Sequence, residues 1–241
     1  MIDSTYRRAL ITGASSGIGK ATAVALANAG LPLALVGRKE DKLVEVVNAA
    51  CKAGVDARYY LVDLANVNQV NTSISAIVED CGPIDLLINN AGMGYTGNLL
   101  DTPLSDWQKV IDLNLTSVFQ VVQSILPSMR ERNQGLIINI ASIAGRQSFP
   151  GWGAYSVSKA GLIALSKAIG VEERGNGIRS VTLCPGAVNT PLWDTDTVQA
   201  DFDRSGMLTP ETVAQTILHT VSLPSHAVIE DVTIMPSAGA L

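Results

Sequence analysis

Two rhythms of hydrophobic and polar positions alternate along the whole chain. Short continuous apolar runs are followed by longer stretches in which apolar residues recur every three or four positions. Runs such as Leu86-Leu87-Ile88-Asn89 and Leu136-Ile137-Ile138-Asn139-Ile140-Ala141 suit strands covered on both faces, as in a parallel sheet between helix layers. This pattern predicts strands at 8–12, 32–36, 57–63, 84–89, 135–142, 178–184 and 228–235. Helices are predicted at 17–29, 41–53, 67–80, 105–132, 154–174 and 210–223, with Gly30, Gly54, Gly82 and Gly175 as stops. Strands alternating with helices imply βαβ units. The expected fold is therefore α/β: a doubly wound sandwich with a mostly parallel seven-stranded sheet and helices on both faces. The segment 187–209, with Pro191, several aspartates and Gly206, matches neither rhythm and reads as a mobile lid or loop.

Composition narrows the picture. With 241 residues and 47% hydrophobic content, the chain can bury one sizeable core, and a single domain over 1–241 is expected. Net charge is -5, from 17 Lys plus Arg against 22 Asp plus Glu, and no basic run occurs, so nucleic acid is a poor partner. No basic segment followed by a long apolar stretch opens the chain, and no apolar run approaches membrane-spanning length; no membrane partner is expected. Cys51, Cys81 and Cys184 are odd in number and scattered, which fits free thiols and a cytoplasmic location. His219 and His226 share no ligand spacing with them, so no metal is expected.

The first candidate chemistry comes after the first strand, where Thr12-Gly13-Ala14-Ser15-Ser16-Gly17-Ile18-Gly19 opens into a helix. Such a loop lets backbone approach a pyrophosphate at a helix N-terminus, although the spacing differs from G-x-G-x-x-G and a plain glycine-rich turn has the same composition. After the second strand comes Gly37-Arg38-Lys39, where a NAD site would carry an acid for the ribose hydroxyls. A guanidinium there suits a 2'-phosphate, which favours NADP(H) over NAD(H), while Glu40 and Asp41 close by count the other way.

The second candidate is the pair Tyr155 and Lys159. Four residues of helix advance ~6 Å and return to nearly the same face, so both side chains would reach one pocket. A phenol of pKa ~10 is a poor acid or base at neutral pH, and an ammonium ~4 Å away favours its charged form by ~4 kcal/mol at an effective dielectric of ~20. Taken alone, the spacing also describes a solvated helix face. Ser142, at a strand end, is placed either to cap that end or to hydrogen-bond a reacting oxygen.

In order, the TGASSGIG loop, Asp63-Leu64, Asn89-Asn90-Ala91-Gly92, Asn114, Ser142, Tyr155, Lys159 and Pro185-Gly186 with Thr190 resemble the short-chain dehydrogenase/reductase family over essentially the whole chain. The resemblance implies a Rossmann-like fold and a cofactor site formed by Gly13, Ser15, Ser16, Gly17, Ile18, Gly19 and Arg38. Asp63 and Leu64 would hold the adenine, and Asn89, Ala91 and Gly92 would lie along the cofactor. Pro185, Gly186, Val188 and Thr190 would position the nicotinamide. It further implies Tyr155 as proton donor, Ser142 on the same substrate oxygen, Lys159 lowering the tyrosine pKa and holding ribose, and Asn114 holding a water that links the lysine to solvent. The expected activity is NADP(H)-dependent reduction of a small-molecule carbonyl to an alcohol, reversibly, by a homodimer or homotetramer built on the helices 105–132 and 154–174. The alternatives are a NAD-dependent alcohol dehydrogenase of the same family and a non-catalytic dinucleotide-binding redox sensor.

Other residues have two readings each. Trp152, Phe149, Trp193, Phe202 and Met93 flank the site on loops and suit either packing or an apolar substrate pocket, with Trp152 and Trp193 as candidate substrate contacts. Asn114 alone would pass for an exposed helix residue, and Asn89-Asn90 for a turn pair. Cys184 is either a reactive thiol or, as unpaired cysteines more often are, buried and inert.

Overall fold

The computed structural model describes residues 6–200 and 203–239. Seven strands, β1 (Ala9–Thr12), β2 (Leu33–Gly37), β3 (Ala57–Leu61), β4 (Leu86–Asn89), β5 (Gly135–Ile140), β6 (Ile178–Pro185) and β7 (Asp231–Ile234), form one parallel sheet in the order β3-β2-β1-β4-β5-β6-β7. The helices are α1 (Gly17–Asn28), α2 (Glu40–Lys52), α3 (Val67–Cys81), α4 (Leu104–Ile111), α5 (Ser117–Glu131), α6 (Gly153–Glu173) and α7 (Pro210–Val221). This is the expected Rossmann-like α/β architecture.

Strand geometry sends successive side chains to opposite faces, and the two layers of core show it. Ile11, Leu35, Ile88 and Ile138 pack with α1, α2 and α7 through Leu26, Leu43 and Ile217. Their strand neighbours Leu10, Val36, Leu87 and Ile137 pack on the other face with Ile74 of α3, Ile125 of α5 and Leu162 of α6. Every residue of β1, β2, β4 and β5 is buried, whereas the edge strands β3 and β7 are only partly so. Each fully buried large aliphatic side chain contributes ~1.5–3 kcal/mol, which explains why the central strands read as continuous apolar runs.

The structure departs from the expected elements in two places. The single helix expected over 105–132 is interrupted by a π turn, Asp112–Thr116, between α4 and α5. The continuous stretch Leu104–Glu131 is long and apolar enough to cross a membrane by length and composition, against the expectation that nothing approached that length. Here it is a core helix, burying Val110, Val118, Val121, Val122, Ile125 and Met129. Described residues of the segment 187–209 bond one another and the loop after β4. Leu208 N donates to Ala187 O at 2.9 Å, Thr96 N to Thr197 O at 2.9 Å, and the Thr197 hydroxyl to Gly94 O at 2.8 Å.

Candidate active site

β1 and β4 are neighbours in the sheet although two strands separate them in sequence, and the chain winds outward from this pair in both directions. Loops leaving the carboxyl ends on either side of such a switch point diverge and open a crevice. Here the crevice is a cleft of about 980 Å³.

The floor near β1 is the glycine loop. Gly13 has φ +65°, and a Cβ there would lie 2.9 Å from the Ala91 backbone, so neither a left-handed turn nor the close approach of the β4 loop admits another residue. A Cβ on Gly19 would lie 2.3 Å from Gly13 O; this glycine is set back from the cleft and lets α1 pack onto its own loop. Ser15, Ser16, Gly17 and Ile18 line the cleft. Ser16 makes no side-chain cap to α1, leaving first-turn N–H groups directed at the cavity, as an anion site requires.

Thr12 and Asn90 stitch the switch point together. The Thr12 hydroxyl accepts from Asn90 N and Ala91 N at 3.0 Å each, and Asn90 Nδ2 donates to Thr12 O at 3.0 Å and Gly13 O at 3.2 Å. Asn90, not Asn89, lines the cleft. The Asn89 side chain is buried behind the wall, donating to Asn139 Oδ1 at 2.9 Å.

Toward the β3 edge the cleft is lined by Gly37, Arg38, Lys39, Lys42, Asp63 and Leu64. The Arg38 side chain is 66% exposed, with Nη1 3.9 Å from Asp63 Oδ1. Glu40, which counted against a phosphate here, accepts from the Tyr59 hydroxyl at 2.7 Å and is not a lining residue. Lys42, one turn into α2, was not anticipated; its ammonium bonds Glu45 at 2.7 Å.

Toward β5 and β6 stand Ser142, Tyr155 and Lys159, with Ala91, Gly92, Pro185, Gly186, Val188 and Thr190 lining the same cavity. Ser142 is extended and its hydroxyl accepts from Ala144 N at 3.1 Å, so the hydroxyl proton remains available to a ligand. Lys159 is 5% exposed, donates to Ile140 O at 2.9 Å and lies 5.8 Å from the centre of the Tyr155 ring. Burial pushes its pKa down to about 8. Burial also raises the Tyr155 pKa, with the Ser142 hydroxyl working against that shift. Burial penalises the charged phenolate more than the Ser142 hydroxyl favours it. Cys184 is fully buried, and burial pushes its thiol pKa up.

Asn114 is completely buried in the π turn and does not line the cleft. Its Oδ1 accepts from Met93 N at 2.8 Å, while Nδ2 donates to Met93 O at 2.9 Å and Ser158 Oγ at 3.0 Å. Ser158 in turn donates to Tyr155 O at 2.7 Å. The side chain therefore clamps the β4 loop to the helix carrying Tyr155. A π turn inserts one residue into the helix and re-aims the turns after it, a device common at functional sites.

Trp152, Trp193, Phe149 and Met93 line the cleft, joined by Ile143 and Leu192, which the sequence did not single out. Trp152 packs edge-on against Tyr155 and Trp193, with centroids 5.4 and 5.7 Å apart, and Trp193 Nε1 donates to Val188 O at 2.8 Å. Phe202 lies outside the described residues.

A phenol and a serine hydroxyl in one cavity, beside a glycine cradle and a free helix N-terminus, can hold and protonate an oxygen next to a bound dinucleotide. Sequence and structural relatives agree. A sequence profile of the short chain dehydrogenase family matches residues 7–200. The chain is 41% identical over 194 residues to the monensin polyketide synthase putative ketoacyl reductase of Streptomyces virginiae, covering 80% of this chain and 74% of that one. It is 34% identical over 234 residues to the glycine betaine reductase ATRR of Emericella nidulans, a match taking in 95% of this chain but only 18% of that protein's length. Among solved structures, a variant of actinorhodin polyketide ketoreductase with NADPH superposes with a TM-score of 0.87 at 31% identity, over 99% of each chain. The chain is an oxidoreductase belonging to the short-chain dehydrogenase family.

Proposed function

We propose that this protein is an NADP(H)-dependent carbonyl reductase, reversible as an alcohol dehydrogenase. The observation that carries this reading is that Tyr155 and Ser142 open into the same cavity as the glycine loop and Arg38. The residues fit the cofactor. Gly13 leaves room where a Cβ would strike the Ala91 backbone, α1 offers an uncapped N-terminus to a pyrophosphate, and Arg38 offers an exposed guanidinium to a 2'-phosphate. The solved relative carrying NADPH supports the same choice.

When bound, the nicotinamide supplies a hydride to the carbonyl carbon. Tyr155 gives its hydroxyl proton to the carbonyl oxygen, completing the alcohol, and Ser142 donates a hydrogen bond to that oxygen as charge develops. A tyrosine whose pKa is raised stays protonated at neutral pH and suits the reductive direction. Lys159, beneath Tyr155 and fixed on Ile140 O, favours the phenolate left behind. A panel of ketones and keto-esters, monitored by loss of NADPH absorbance with NADH in parallel, tests the reading. Consumption with NADPH is expected. No consumption despite NADPH binding would favour the redox-sensor alternative, and equal rates with NADH would remove the cofactor preference.

A further inference from the structure

From Tyr155 outward, on the side of β5 and β6, the cleft wall is Met93, Ile143, Phe149, Trp152, Leu192 and Trp193. Among the described residues, the charged side chains that line the cleft are Arg38, Lys39, Lys42, Asp63 and Lys159. The first four come after β2 and β3, at the opposite end of the sheet order, and Lys159 is buried beneath the tyrosine. The substrate half therefore contains no cation to receive a carboxylate or phosphate.

Its rim points the same way. Asp194 and Asp196 are exposed on either side of the lining residue Thr195, and the guanidinium of Arg204 is already held by Asp194 through bonds of 2.6 and 3.2 Å. Arg146, on the loop after β5, is paired with Asp231. An anion brought here would lose its water and meet a negative rim, both costly. The walls offer something else. Trp152 and Trp193 stand at 70° to one another, with Trp193 fixed by Val188 O, and Trp152 stands at 67° to Tyr155. Such a corner presents one ring face and one ring edge, and a third ring gains from both.

We propose that the substrate is a free, apolar ketone bearing a ring next to its carbonyl, held against Trp152 and Trp193, and that ketones carried on phosphates or carboxylates are rejected. This rests on the carbonyl-reductase reading.

The test compares acetophenone, 4-acetylbenzoate and acetoacetyl coenzyme A as substrates of the NADPH-loaded protein. Acetophenone is expected to exceed both anionic ketones at least tenfold in kcat/KM. Replacing both tryptophans by alanine should cut its kcat/KM on the order of a hundredfold with NADPH affinity retained, and replacing both by phenylalanine should cut it less. Anionic ketones turned over equally well or better, or acetophenone turnover untouched by the double alanine change, would overturn the proposal. Should none of the three be reduced, the carbonyl-reductase reading fails, and calorimetric titration of the NADP⁺-loaded protein decides the pocket separately. Acetophenone binding at least tenfold tighter than 4-acetylbenzoate sustains the substrate class, and the reverse or equal affinity overturns it.

Discussion

The two halves of the cleft are built from different materials. The half after β1, β2 and β3 is built on backbone, a loop of glycines, the first turn of α1 and the short Gly37-Arg38 turn, with the charged side chains of Arg38, Lys39, Lys42 and Asp63 toward its β3 edge. The half after β5 and β6 is made of side chains on irregular segments, with two tryptophans, a phenylalanine and a leucine placed by contacts distant in sequence. A backbone site demands particular residue types, because only glycine tolerates both the turn and the approach, and it binds what all such dinucleotides share. A side-chain site demands only bulk and polarity, and its shape comes from how loops settle on one another. Generality on one side and selectivity on the other result from that division.

The sharpest break between the halves is Tyr155→Phe. Turnover of any carbonyl should fall by a factor on the order of 10²–10⁴ while NADPH affinity, measured by fluorescence titration, stays within about twofold. A variant that kept turnover would remove the tyrosine from the reaction.

Arg38→Ala should act on the other half alone. Losing a charge-assisted contact of ~1.5–3 kcal/mol lowers NADPH preference over NADH by ~10–100-fold, without altering the ranking of ketones. A changed ketone ranking would mean that the halves are not independent.

A third, smaller effect comes from Lys159, beneath Tyr155. With its pKa at about 8, its ammonium disappears as pH rises through that value, so reduction rates should decline above about pH 8. Stability moves oppositely. The unfolded chain, with an ordinary lysine pKa of 10.5, binds the proton more tightly than the folded chain, so folding stability gains between about pH 8 and 10.5. The gain, about 3 kcal/mol, should vanish in Lys159→Met when both proteins are melted across that range. An unchanged pH slope in the variant would mean that the lysine keeps an ordinary pKa.

Much of the molecule was legible in the residues because much of it depends on local rules. Continuous apolar strands, the glycine loop and the Tyr155-Lys159 spacing each come from backbone geometry within a few residues. The illegible remainder depends on register and phase. Asn89 and Asn90 are adjacent and chemically identical, and only the pleat of β4 decides that one faces Asn139 and the other the cleft. The π turn at 112–116 adds a residue without breaking the apolar pattern, so the sequence shows one helix where the structure re-aims Asn114 onto Met93. The segment 187–209 has an irregular composition, and no local pattern announces that Thr197 within it bonds Thr96 and Gly94. The burial of Tyr155 is hidden for a related reason, since pair spacing shows the nearby charge and not the desolvation.

One contact has a consequence for the order in which the protein is made. A side chain on Gly17 would lie 3.1 Å from Thr190, so the glycine loop closes against a segment that is synthesised long after it. A nascent chain carrying the whole glycine loop still lacks one wall of its cradle. That wall is in place only once the chain through β6 and Thr190 has been made and folded.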